Sequence, residues 1–180
     1  MNCSLEAMAL TMPYVAGHPN RLPFHGVLTL VGVASQRSPS GARGHRVMLT
    51  RSATEAALPS LLGMALDYTP ALTAHDVRRK VGIITEANVI PLSEHNAGSP
   101  LGKVAISGYL FAQDFPDVVK EIHAQNDNTL GMSYEIANAS VPNQDALIWT
   151  VTNFTFTGAA VLRRDKAAYP QTWIALTGHN

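Results

Sequence analysis

The sequence predicts a mainly β (α+β) domain with two or three helices, and three observations carry that expectation. Segments rich in β-branched, aliphatic and aromatic residues recur along the chain, several of them alternating apolar and polar positions. Clusters of Ser, Pro, Gly and Asn separate them. The clearest helical pattern is FPDVVKEIHAQND (115–127), which sets Val118, Val119 and Ile122 on one side and its charges on the other.

Taken in order, residues 1–24 carry Pro13, Pro19 and Pro23 with little periodicity and read as an N-terminal arm, so the domain proper is expected over 25–180. HGVLTLVGVAS (25–35) is a strand, ended by the Ser-, Pro- and Gly-rich loop QRSPSGARG (36–44). HRVMLT (45–50) is a second, short strand. SATEAALPSLLG (52–63) is a short helix, with Ser52 as N-cap, Glu55 three residues on and Gly63 at the close, while Pro59 limits its regular length. MALDYTPALTAHD (64–76) is extended, and KVGIITEANVI (80–90) and KVAISGYLFAQ (103–113) alternate as strands do. In the helix that follows, Pro116 and Asp117 suit a first turn, and its apolar face is expected to pack on the core, with a partner surface as the alternative. TLGMSYEIANASV (129–141), ALIWTVTNFTFTGAAVL (146–162) and TWIALT (172–177) complete the strands. The chain has no internal repeat and no low-complexity tract.

Size and charge narrow the function. At 180 residues the chain fits one domain able to bury a real core. Thirteen Lys and Arg balance thirteen Asp and Glu, so net charge points neither to nucleic acid nor to an anionic membrane surface. Arg37, Arg43 and Arg46 cluster around the first loop without interleaved aromatics for base stacking. The single cysteine, Cys3, excludes an intrachain disulfide and fits a reducing, intracellular compartment. The N-terminus lacks a positive n-region, and no apolar run reaches the roughly 18–20 residues that cross a bilayer. No GxxxxGK[ST] stretch is present, and His75, His95 and His123 lack the close spacing of helical metal ligands. Neither a cofactor nor a metal is expected.

The chemistry that remains is that of Ser133, which follows Gly131 and Met132 in an alternating strand. A serine hydroxyl attacks poorly unless a base takes its proton, so a histidine is needed. His18, His45, His95 and His179 fall in loops or at a terminus, and His25 and His123 read as surface residues. His75 differs: it ends an extended segment, precedes Asp76 and the basic run around Arg78 and Arg79, and leads into an apolar strand. Spacing alone does not bring it to Ser133, and the plain readings are a satisfied strand histidine and a small strand serine. Gly131 admits close approach of a backbone or a substrate, or marks a simple bulge.

In combination, LLGMALDYTPALTAHDVRRKVGIITEANV, AISGYLFAQDFPDVVKEI, NTLGMSYEI and FTGAAVLRRDKAAY resemble, in this order, the prohead maturation proteases of tailed bacteriophages, which are themselves similar to the herpesvirus assemblins. The resemblance covers roughly residues 25–170. It implies a closed or nearly closed, mostly antiparallel β-barrel surrounded by a few helices, with His75 as base and Ser133 as nucleophile. It implies a serine endopeptidase of the assembling procapsid in the host cytoplasm, cutting scaffolding protein, major capsid protein and itself, and associating as a dimer or higher oligomer. It also implies oxyanion donors in the loop after the strand ending at Leu162, where Arg163 and Arg164 stand. The third catalytic position departs from the family: the acidic residue or histidine expected on the strand after the serine falls on Thr157. Glu135 is the first substitute, because residues two apart on a strand share a face. Asp67 and Asp76 are rivals, Asp76 being expected to face away from its neighbour His75. The alternative function is a catalytically inactive scaffold or decoration component that keeps the protease fold.

Overall fold

In the computed structural model, residues 8–76, 78–92, 99–125 and 129–177 are described; Cys3, His95 and His179 lie outside them. The strands in chain order are β1 (Met8–Ala9), β2 (Leu22–Val31), β3 (Arg46–Leu49), β4 (Ala65–Tyr68), β5 (Lys80–Pro91), β6 (Gly102–Leu110), β7 (Leu130–Ser140), β8 (Ile148–Val151), β9 (Asn153–Arg163) and β10 (Trp173–Leu176). Eight of them form one sheet in the order β10-β2-β6-β5-β4-β9-β7, with β1 added on β5. Neighbours in it are antiparallel except β4 and β9, which run parallel. β3 and β8 form a separate, parallel pair.

Alternation explains the sheet's inner face. β6 buries every second residue over its whole length, as a strand with one face on a core must. The sheet curls into a half-barrel around Phe24, Leu28, Ile84, Leu110, Met132 and Phe156, each no more than 1% exposed. Each such side chain stabilises the fold by roughly 1.5–3 kcal/mol relative to leaving it in water. The two outer strands, β7 and β10, are not laddered together; a side chain ties them. Thr172 Oγ1 accepts from Met132 N–H at 2.9 Å and donates to Tyr169 O at 2.8 Å. The barrel expected from the resemblance is therefore an open half-barrel with its mouth fastened at Thr172.

Two helices lie beside the sheet. α1 (Arg51–Ala57) runs into a 3-10 turn at Leu58–Leu61 that contains Pro59. Its cap is Thr50, whose side chain accepts from Ala53 N–H, and not Ser52, which lies inside the helix; Glu55 pairs with Arg51 instead. α2 (Pro116–Ala124) buries Val118 and Ile122 in the core, with Val119 packed against it, so its apolar face serves the core. No helix among the described residues is long and apolar enough to cross a membrane.

Three further expectations change. The arm is part of the sheet, because β1 pairs with β5, and Leu22 and Phe24 belong to β2 and to the core. The run 146–162 is two strands in two sheets, broken at the exposed Thr152, whose N–H donates to Ser140 O; β propensity marks extended chain without naming its partner. His25 is half-buried, edge-on to Trp173 at 5.3 Å.

Candidate active site

β7 carries Ser133 and Glu135 on one face and sends Met132 into the core from the other, as the two-residue period requires. It is placed by antiparallel pairing with β9, Ser133 opposite Ala160 and Glu135 opposite Gly158. β9 is in turn paired with β4, Asp67 opposite Ala160. Three strands thus bring Asp67, Ser133 and Glu135 to neighbouring positions, though 66 residues separate the first two in the chain (133 minus 67).

His75 comes to them on the loop between β4 and β5, and that loop is pinned. Leu72 is 4% exposed with a left-handed φ of 53°, and its carbonyl accepts from Arg163 N–H at 2.8 Å. A bulky side chain rarely adopts that backbone region, so burial and the backbone bond must hold it there. Asp76 N–H approaches Asp67 Oδ1 at 3.4 Å. Arg79 stacks over Tyr68 and Phe115 and bonds Asp117 at the start of α2.

The imidazole lies between two carboxylates. His75 Nδ1 is 3.0 Å from Glu135 Oε1 and 3.6 Å from Asp67 Oδ2, in ionic contact rather than in a well-aligned hydrogen bond. Asp67 is fully buried and also meets Lys80 Nζ at 3.3 Å. Burial alone would lower the imidazole pKa, but Asp67 and Glu135 outweigh it and hold His75 above its ordinary value. Asp67 mirrors this: burial would raise its carboxyl, and His75 and Lys80 together hold it below the usual carboxylate range. A buried carboxylate is tolerable because the Lys80 ammonium and the His75 imidazole face it. Asp76 bonds Arg78 through its carboxylate.

One cavity of about 800 Å³ is lined by His75, Ser133 and Glu135 together. Among the described residues no hydrogen bond joins Ser133 to His75; such bonds are commonly long before substrate binds. Asp67, His75 and Glu135 each offer a ligand atom within 4.8 Å of the others, a donor set chemically suited to a divalent ion. Lys80 and, whenever it is protonated, His75 face its two carboxylates with positive charge.

Thr157 is exposed and is skipped where the register of β7 on β9 shifts between Glu135 and Ile136. Its neighbour Gly158 is the informative residue. A Cβ there would stand 2.6 Å from Glu135 Oε2, so the missing side chain on β9 makes the space that the Glu135 carboxylate fills. Gly131 also permits a close approach, but by the chain's own return segment: a Cβ would meet Thr172 Oγ1 at 2.9 Å and Arg164 Cα at 3.1 Å.

Arg163 and Arg164 do not line the cavity. Their backbone N–H groups donate to Leu72 O and Thr129 O, both at 2.8 Å, and the Arg163 guanidinium bonds Asp165. The two cationic side chains that line the cavity are Arg43 and Lys166. His45 lies in a loop, as expected, but is half-buried there and stacks on Trp149. The available signal for Asp67 was a carboxylate inside the apolar strand ALDY; nothing local marked Gly158 or Trp149.

The profile of the YonD N-terminal domain matches residues 64–175, well over half of the chain and the whole span from Asp67 to Glu135. YonD is a Bacillus prophage protein, which makes this chain phage-related. No curated protein matches the chain, and no solved structure does.

Proposed function

The chain belongs to the YonD N-terminal domain family, and on that premise we propose that it is a serine endopeptidase of phage procapsid maturation. The observation that carries the reading is a serine and a histidine facing one cavity, with the histidine's Nδ1 held at 3.0 Å from Glu135. A nucleophile, a base and a group that orients the base are the parts such a reaction needs.

In this mechanism Nδ1 keeps its proton against the carboxylates, and Nε2 is the nitrogen that accepts the proton of Ser133 Oγ as the oxygen attacks a peptide carbonyl. The carboxylates stabilise the imidazolium so formed. The imidazolium returns its proton to the leaving amine, and water, activated by the same nitrogen, hydrolyses the acyl-enzyme. Glu135 orients the imidazole, and Gly158 gives it room. The substrates are scaffolding protein, the major capsid protein and the protease itself, inside the assembling particle in the host cytoplasm. The enzyme acts as a dimer or higher oligomer.

Co-expression with the scaffold and capsid proteins of the same genome, read by intact mass, tests this. Wild type trims them, and Ser133→Ala and His75→Ala, folded, leave them whole. The commitment of the Arg163 and Arg164 N–H groups favours a second reading, a non-enzymatic capsid component with the protease fold. Under it, processing is the same with Ser133→Ala as with wild type.

A further inference from the structure

The proposed chemistry leaves one wall of the cavity unused. Ile136, Val141, Trp149, Val151 and Leu162 give it a largely apolar lining beside Ser133. Val151 and Leu162 are core residues, whereas Val141 and Trp149 keep part of their surface open.

Trp149 is not free to fall into this space. It lies on β8, whose parallel pairing with β3 stands apart from the main sheet. Its ring stacks on His45 with centroids 4.5 Å apart and planes 15° from parallel. Its indole N–H donates to Gln144 O at 2.9 Å, and His45 Nδ1 lies 2.9 Å from Ala146 O. An aromatic side chain with its polar atom satisfied and one face covered presents apolar surface at little further entropy cost. The space it borders is preformed, which is the condition for a side-chain pocket.

The charges around the cavity are distributed in keeping with this. Glu135 is engaged by His75, while Arg43 and Lys166 are exposed residues, and Lys166 faces Asp165 at 3.9 Å. Ile136, Val141, Trp149, Val151 and Leu162 themselves carry no ionisable group.

We infer that this wall is a specificity pocket, and that peptides cleaved at Ser133 present a bulky apolar side chain to it at one fixed position near the scissile bond. The inference rests on the serine-endopeptidase reading and adds the class of substrate. A pocket of this kind discriminates modestly, about 10–200-fold for each methylene it gains or loses.

The test is cleavage of a proteome-derived peptide mixture by the full chain, with cut sites read by mass spectrometry. Wild type is expected to enrich Leu, Ile, Met or Phe at one position relative to the cut. Trp149→Ala lowers the ratio of apolar to small-residue sites by about tenfold or more. Should that variant misfold by circular dichroism, Val141→Lys, at a half-buried position on the same wall, is expected to move the preference at that position toward Asp and Glu. Cleavage without apolar enrichment, or enrichment that the folded variants leave intact, overturns the pocket and leaves the protease standing. Cleavage that persists in Ser133→Ala, or none by wild type, overturns the serine reading and the pocket with it.

Discussion

The cavity has two unlike walls. On one, His75 and Glu135 line the cavity and are held by ionic contacts, by the buried Asp67 and Lys80 outside the lining, and by a pinned loop. On the other, Trp149, Val141 and Ile136 offer shape without charge. The charged wall depends on distances of a few tenths of an ångström, whereas the apolar wall depends on volume. Substitutions on the first should therefore act on the chemical step, and those on the second on which substrate is chosen.

The largest effects are expected at the charged wall. Under the proposed mechanism, Ser133→Ala and His75→Ala each lower kcat by at least about 10³-fold, and the double variant is little worse than either, because the two act as a unit. Full additivity in single-turnover assays would break the comparison by showing independent roles.

Glu135→Gln and Asp67→Asn come next, at roughly 10²–10⁴-fold in kcat. They also carry a pH signature. His75 must be neutral to accept a proton, and the two carboxylates hold its pKa above the ordinary imidazole value. The acid limb of kcat/KM for wild type thus lies above about pH 6.5. Removing either carboxylate destabilises the imidazolium and moves that limb to lower pH. A pH–rate profile with an unmoved limb would show that the carboxylate does not act through His75.

How much of this was legible in the sequence depends on how local the cause is. α2 and β7 were, because period 3.6 and period 2 are written into contiguous residues, and Glu135 followed from sharing a face with Ser133. The break at Thr152 was not, because similar β-rich residues serve β8 in one sheet and β9 in the other. Asp67 stood only as a rival, since its place beside His75 depends on the parallel pairing of β4 with β9. Arg163 and Arg164 lie near the expected place in the chain, but sequence does not tell which carbonyls will capture their N–H groups. Thr157 drew notice as a missing carboxylate, while the compensating feature was the hydrogen at Gly158.

That feature makes a smaller, sharper prediction. Gly158→Ala adds one methyl group on the charged wall, at a position where it meets Glu135 Oε2. The carboxylate must shift, and a misplacement of about 1 Å costs up to about 10²-fold. Activity should fall about tenfold or more with KM little changed. An unchanged kcat would mean that the position of Glu135 is not critical.

The smallest expected effect is on stability, and its pH slope has opposite signs at the acid and alkaline ends. Because His75 is raised in the fold, its contribution is full below the ordinary imidazole pKa and is lost as pH rises through the folded value. Because Asp67 is lowered, its contribution is present above the ordinary carboxylate pKa and is lost as pH falls through the folded value. The ion pairs therefore stabilise most between about pH 4 and 6.5. His75→Gln should lower stability by on the order of 1 kcal/mol in that window and flatten the decline above it. Trp149→Phe on the apolar wall, which removes no charge, should leave the shape of that pH curve as it is. Urea titrations across the range read both. An identical pH curve for His75→Gln and wild type would place the carboxylates' main interaction on Lys80 rather than on the imidazole.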